Sequence, residues 1–139
     1  PCLQFPLEQS MADERALHAL YGGPPPGKRV HTGHGLTHYM MEPPLHSRID
    51  GAAEEDTSES RRRVAVCAHG IGTSLEIYGA IATALREEGY HVLRYDFYGH
   101  GWSRPDSKWL PYTAEVFMAQ LDGLLAHVLA PAEPIELFV

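Results

Sequence analysis

The chain has 139 residues, 44% apolar and 21% charged, values ordinary for one globular domain with a core of its own. Eleven Lys and Arg against 18 Asp and Glu leave a formal charge of −7 with no basic stripe, so nucleic acid is not an expected partner. No apolar run approaches the ~18 residues of a membrane span, and the opening PCLQFPLEQS has neither the basic region nor the apolar run of a secretion signal.

The first methionine is Met11, so translation is expected to start either there or upstream of Pro1. Cys2 and Cys67 lie 65 residues apart without metal-ligand spacing. The cytosol is then the default compartment, although the residues leave localisation undetermined. Cys67, between Val66 and Ala68 in an apolar run, reads as a buried, inert thiol, since no base is evident to make it a nucleophile.

Residues 1–28 read as an extension, in which MADERALHALYGG is a short helix candidate stopped by Gly22 and Gly23 and then by PPPG. Residues 29–139 read as the amino-terminal portion of a domain. GLTHYMMEP predicts a strand from Leu36 to Met41, ahead of Pro43 and Pro44. His31, His34, His38 and His46 invite a metal site, but His34 and His38 on one strand would stand about 13 Å apart at ~3.3 Å per residue. They read as scattered surface histidines, and no metal is expected. From Ser47 to Arg63 the chain turns polar, with Glu54, Glu55, Asp56 and Glu59 followed by Arg61, Arg62 and Arg63, the composition of a solvated loop.

VAVCA, from Val64, is a short β-branched apolar run of the kind found in a parallel strand covered on both faces. HGIG follows as a tight turn. Thr73 to Glu76, TSLE, has the capping-box pattern, in which the Thr73 hydroxyl would accept a first-turn N–H while Glu76 reaches back. Tyr78, Ile81, Ala82 and Leu85 fall on one helical face, with Gly89 placed as the left-handed stop. YHVLRY, Tyr90 to Tyr95, is the next strand, closed by Asp96 and FYGHGWSRP. A second helix is predicted from Thr113, its apolar face carrying Phe117, Leu121, Leu124, Leu125 and Val128. Pro131 and Pro134 end it, and IELFV begins a third strand. Strand, helix, strand, helix, strand closes through right-handed crossovers into a parallel sheet, so the fold class is α/β.

Open parallel sheets bind ligands at the carboxyl ends of their strands, where both distinctive turns, HGIGTS and DFYGHGWS, are expected. Two chemistries compete for them. Gly70-Ile71-Gly72-Thr73-Ser74-Leu75 with Asp96 placed 24 residues after Gly72 imitates a dinucleotide-binding unit, but Leu75 stands where a third glycine would let helix and sheet pack closely. The second chemistry is an oxyanion loop: acyl transfer builds negative charge on a carbonyl oxygen, and a glycine-flanked turn exposes a backbone N–H to meet it.

HGIG after one strand and YDFYGHGWSRP after the next resemble the α/β-hydrolase superfamily, in which an HG-x-G turn precedes the first helix and a D-x-x-GHG-x-S turn follows the next strand. The match covers Val64 to Val139, and GLTHYMMEPP resembles the superfamily's first strand segment more weakly. The monoglyceride-lipase and serine-aminopeptidase-like branch is the nearest; Gly72 stands where epoxide hydrolases carry a proline, which tilts against an aspartate nucleophile. The resemblance implies an α/β-hydrolase-type, mostly parallel sheet flanked by helices. It implies an oxyanion loop of His69, Gly70, Ile71 and Gly72, with the Ile71 N–H as donor and His69 organising the turn. It also implies a structural loop built by Asp96, Gly99, His100, Gly101 and Ser103, and no cofactor.

Such enzymes carry their nucleophile on a G-x-S-x-G elbow, with an acid and a histidine later in the chain. No such elbow is present; the nearest imitation, GWSRP, ends on Pro105, and Ser103 belongs to the loop motif. By the family pattern the strand IELFV would run into the elbow, so the chain is expected to be the amino-terminal part of a serine hydrolase, truncated before the nucleophile elbow and lacking the triad. Its substrate would be a small-molecule or lipid ester, as for an esterase or lipase, monoacylglycerol-like lipids included. Ile135, Leu137, Phe138 and Val139 on an uncovered edge would each forfeit about 1.5–3 kcal/mol, so the edge strand is expected to need the carboxyl-terminal half. The competing expectation is a short non-catalytic binding or decoy protein that pairs this edge with a partner.

Overall fold

The computed structural model describes residues 15–16, 18–19, 22–24, 26–45 and 62–129, together with the backbone of 135–138. Residues 15, 16, 18 and 19 of the expected amino-terminal helix are helical. Cys2, His46 and the acidic stretch around Glu54 lie outside the described residues, as does Val139.

Among the described residues six strands form one sheet: β1 (Lys28–His31), β2 (Gly35–Glu42), β3 (Arg62–Ala68), β4 (His91–Tyr95), β5 (Arg104–Pro105) and β6 (Ile135–Phe138). The order is β1-β2-β4-β3-β6, with β5 paired to β2. β3 runs parallel to β4 and to β6, as the strand–helix–strand order requires. β1–β2, β2–β4 and β2–β5 are antiparallel, so the α/β class is as expected while the described sheet is mixed. Strand β1 was not foreseen. It forms a hairpin with β2 in which the Thr32 N–H donates to the Gly35 carbonyl at 2.9 Å, through a turn carrying Gly33 at φ 83°. Among the described strands β6 ends the sheet, paired to β3 alone.

Alternation along β3 and β4 sends residues to two helical layers. Val64, Val66, Leu93 and Tyr95 pack on one face with Leu121 and Leu124 of helix α2 (Ala114–Val128). Cys67 and Val92 pack on the other with Ala82 of helix α1 (Gly79–Glu87). The α1 stripe holds at Tyr78, Ala82 and Leu85, whereas Ile81 is exposed. Gly89, at φ 86°, ends α1 in a Schellman motif, with Gly89 N–H to Arg86 O at 3.2 Å and Tyr90 N–H to Leu85 O at 3.0 Å. Thr113 caps α2, its hydroxyl accepting from the Val116 N–H at 3.4 Å. Cys67 is a buried free thiol whose pKa burial pushes up, which keeps it in the protonated, unreactive form.

Leu124 is fully buried between α2 and the sheet. Leu124→Ala is expected to cost about 2–5 kcal/mol, read as a lower denaturant midpoint at unchanged m-value. A loss below about 1 kcal/mol would place Leu124 outside the core that joins α2 to the sheet.

Candidate active site

The two glycine turns emerge side by side from the carboxyl ends of β3 and β4, because those strands are parallel neighbours. In the first, the Thr73 N–H donates to the Gly70 carbonyl at 3.3 Å, with Gly72 at φ 84°. This is a type II turn, in which glycine supplies the positive φ at the third position. Ile71, at the second, is 81% exposed, and its N–H makes no hydrogen bond among the described residues.

The expected capping box does not form. The Thr73 hydroxyl donates to the Gly70 carbonyl at 2.7 Å, so it closes the turn instead of capping a helix. The segment that follows is a 3-10 helix, Leu75–Tyr78, whose N-cap Ser74 makes no side-chain hydrogen bond. Its first N–H, on Leu75, is taken by the Asp96 carboxylate at 2.8 Å. A tertiary partner thus does what a local cap would have done.

His69 is 2% exposed and joins the turns. The Phe97 N–H donates to its Nε2 at 3.0 Å, which leaves Nδ1 to carry the proton and donate to the Gly70 carbonyl at 2.8 Å. Both ring nitrogens are thus committed to backbone partners, one in each turn.

Asp96 is the centre of the second turn. It is 1% exposed, with Oδ1 accepting from Leu75 N–H, and Oδ2 from Trp102 N–H at 3.0 Å and His38 Nδ1 at 2.7 Å. Burial pushes its pKa up, but the His38 side chain and the Trp102 and Leu75 N–H groups outweigh burial and hold the carboxyl below its usual value. With both oxygens engaged, Asp96 is not presented to a ribose, which overturns the dinucleotide alternative.

The remaining loop residues serve the same frame. The Ser103 hydroxyl is fully buried, donating to the Asp96 carbonyl at 2.6 Å and accepting from the His38 N–H at 2.8 Å, so it is no nucleophile. His100 Nδ1 lies 3.1 Å from the Tyr98 carbonyl. Gly101, at φ 47°, has no room for a Cβ, which would collide with the Asp96 carboxylate; at Gly99, φ 76°, a Cβ would meet the Tyr112 ring and hydroxyl.

Several contributors escaped the sequence reading. His38 is not a surface histidine: at 2% exposure it sits on β2, between β1 and β4, where the neighbouring Asp96 supplies a charged partner that strand periodicity cannot reveal. His31 is exposed and pairs with Asp106 at 2.8 Å, and His34 is exposed. Gln120, an internal position of the amphipathic α2, is fully buried; its amide donates to the Asp96 carbonyl and the Thr37 hydroxyl, and its Oε1 accepts from Tyr98 N–H. Arg94, buried in β4, pairs with Glu42 at 2.7 Å and reaches the Leu75 carbonyl at 3.4 Å. Among the described residues no cluster of three or more His, Cys, Asp or Glu could hold a metal, and no helix is long and apolar enough to cross a membrane.

The family described as "Serine aminopeptidase, S33", of α/β-hydrolase type, matches residues 59–139, more than half of the chain. The chain belongs to this family. Among solved structures, the fold of this α/β-hydrolase chain is similar to that of a protein provisionally described as an epoxide hydrolase from Klebsiella pneumoniae, at 20% identity and a TM-score of 0.51, over 70% of this chain and 28% of that one. A hydrolase from Pseudomonas aeruginosa is 29% identical with a TM-score of 0.49, over 70% and 31% of the two chains. VinJ is 28% identical with a TM-score of 0.49, over 75% and 32%. The chain therefore spans less than a third of the length of these structures. No curated protein matches it.

Proposed function

We propose that this chain contributes the oxyanion-stabilising turn, and the loop that holds it, to a serine hydrolase that cleaves carboxylic esters, monoacylglycerol-like lipids among them. The observation that carries the reading is the Gly70–Thr73 turn, whose Ile71 N–H is exposed and unengaged while His69 and Asp96 brace the backbone on either side. A donor already aimed and immobile stabilises developing charge without reorganising at the moment of reaction. Family membership supports the reaction class, and the fraction of related structures that the chain spans supports a nucleophile, acid and histidine located after Val139.

The test uses the natural protein with a 4-nitrophenyl ester, a monoacylglycerol and a fluorophosphonate probe. Turnover of an ester, with covalent labelling of a single serine outside residues 1–139, is the expected result. Neither turnover nor labelling would sink the reading. Residues 1–139 by themselves are expected to hydrolyse neither ester above the buffer rate, and hydrolysis by them would place the nucleophile within this chain.

A further inference from the structure

We infer that His38 is a doubly protonated positioning residue, whose imidazolium orients the Asp96 carboxylate that holds the exit of the Gly70–Thr73 turn. The inference deepens the oxyanion-loop reading and rests on it for its functional consequence. His38 is buried on β2 with an acceptor on each ring nitrogen: Asp96 Oδ2 at 2.7 Å from Nδ1 and the Pro26 carbonyl at 2.6 Å from Nε2. A carbonyl oxygen can only accept, so Nε2 carries a proton. Asp96 receives Leu75 N–H on one oxygen and Trp102 N–H on the other. A proton on Oδ2 would make that oxygen a poorer acceptor for the Trp102 N–H, whereas N–H donors on both oxygens favour the anion, so Asp96 is the carboxylate and Nδ1 carries a proton as well.

The backbone on the Pro26 side is pressed onto the ring. Gly27 sits at φ 101°, and a Cβ there would come within 3.3 Å of His38 Nε2 and 2.5 Å of the Tyr39 carbonyl. Only glycine at this place lets the Pro26 carbonyl reach the ring. Among the described residues the other titratable group at the cluster is His69, with Nε2 3.9 Å from Asp96 Oδ1 and its lone pair used by Phe97 N–H. Nearby Arg94 is paired with Glu42. Asp96 and His38 thus balance each other's charge. Without the cation, Asp96 would keep its two N–H donors but lose the group that fixes its rotation, and Leu75 N–H would be held less firmly.

The first measurement is the ring ¹⁵N–¹H correlation of His38 in the natural protein at neutral pH, assigned by its loss in His38→Asn. The expected pattern has both nitrogens protonated; one protonated and one bare nitrogen would overturn the inference. The second is kinetic. His38→Ala is expected to lower kcat for ester hydrolysis about 10- to 100-fold with little change in KM, the scale of a small misplacement of catalytic groups. His38→Asn, whose amide donates to Asp96 in place of Nδ1–H, should recover about half of that loss on a logarithmic scale. An imidazolium signal with no recovery in His38→Asn would overturn the positioning role. If the natural protein hydrolyses no ester, the hydrolase reading fails, and the spectrum still decides the charge of His38.

Discussion

Replacing Ile71 with proline is expected to lower kcat for ester hydrolysis by the natural protein about 100- to 1,000-fold, the usual effect of removing one oxyanion donor. The substitution isolates the N–H. Ile71 is the second residue of a type II turn, where proline's fixed φ is favoured. Its side chain is 81% exposed, so little packing is lost. The preceding Gly70 tolerates the restriction proline places on its neighbour. Stability should change by no more than about 1 kcal/mol, which separates this variant from one that merely unfolds. A fold-change in kcat below about threefold at unchanged thermal midpoint would mean that the Ile71 N–H does not face the reacting oxygen.

Asp96→Asn is expected to destabilise the protein by about 3–5 kcal/mol at neutral pH, the cost of removing one partner from a buried charged pair. The amide keeps the shape but not the charge. It can accept from Leu75 N–H or Trp102 N–H but turns an NH₂ group on the other donor, and it leaves His38 without its anion. The pH dependence carries a sign. The folded state holds the Asp96 proton less tightly than the unfolded chain, because its carboxyl lies below the ordinary 3.8. That stabilisation is fully present above the ordinary carboxylate range and is lost as the pH falls through it toward the folded value. Denaturant midpoints from neutral pH downward should therefore show the wild type converging on the variant below about pH 4. Parallel curves throughout would assign the loss to the missing second acceptor and not to charge.

The tie between the two turns explains why so much chemistry-bearing sequence is spent on structure. His69, Asp96, His100 and Ser103 are residue types found in active sites, yet each is committed to holding backbone. The groups left unengaged at the first turn are main-chain N–H groups, Ile71 foremost, which carry no residue identity. Glycine preference at φ 84° in Gly72 and φ 47° in Gly101 is what makes their positions readable in the chain.

Strand β3, strand β4 and both helices were legible because apolar periodicity and local punctuation specify them: VAVCA, the face with Leu121 and Leu124, Gly89 as a stop, Thr113 as a cap. The paired motifs HGIG and DFYGHGWS also marked the family and the end of the sheet where a site belongs. Tertiary structure alone decided the rest. Strand β1 owes its place to pairing with β2, not to its own short and polar sequence. Thr73 looked like a helix cap and instead closes a turn, because Asp96, remote in the chain, meets the orphan N–H of Leu75. His38 looked like a surface residue until β2 was set between β1 and β4, where burial makes hydrogen-bond partners obligatory. Local pattern determines which element a segment forms; whether a polar side chain on it faces water or a buried acid depends on what folds against it.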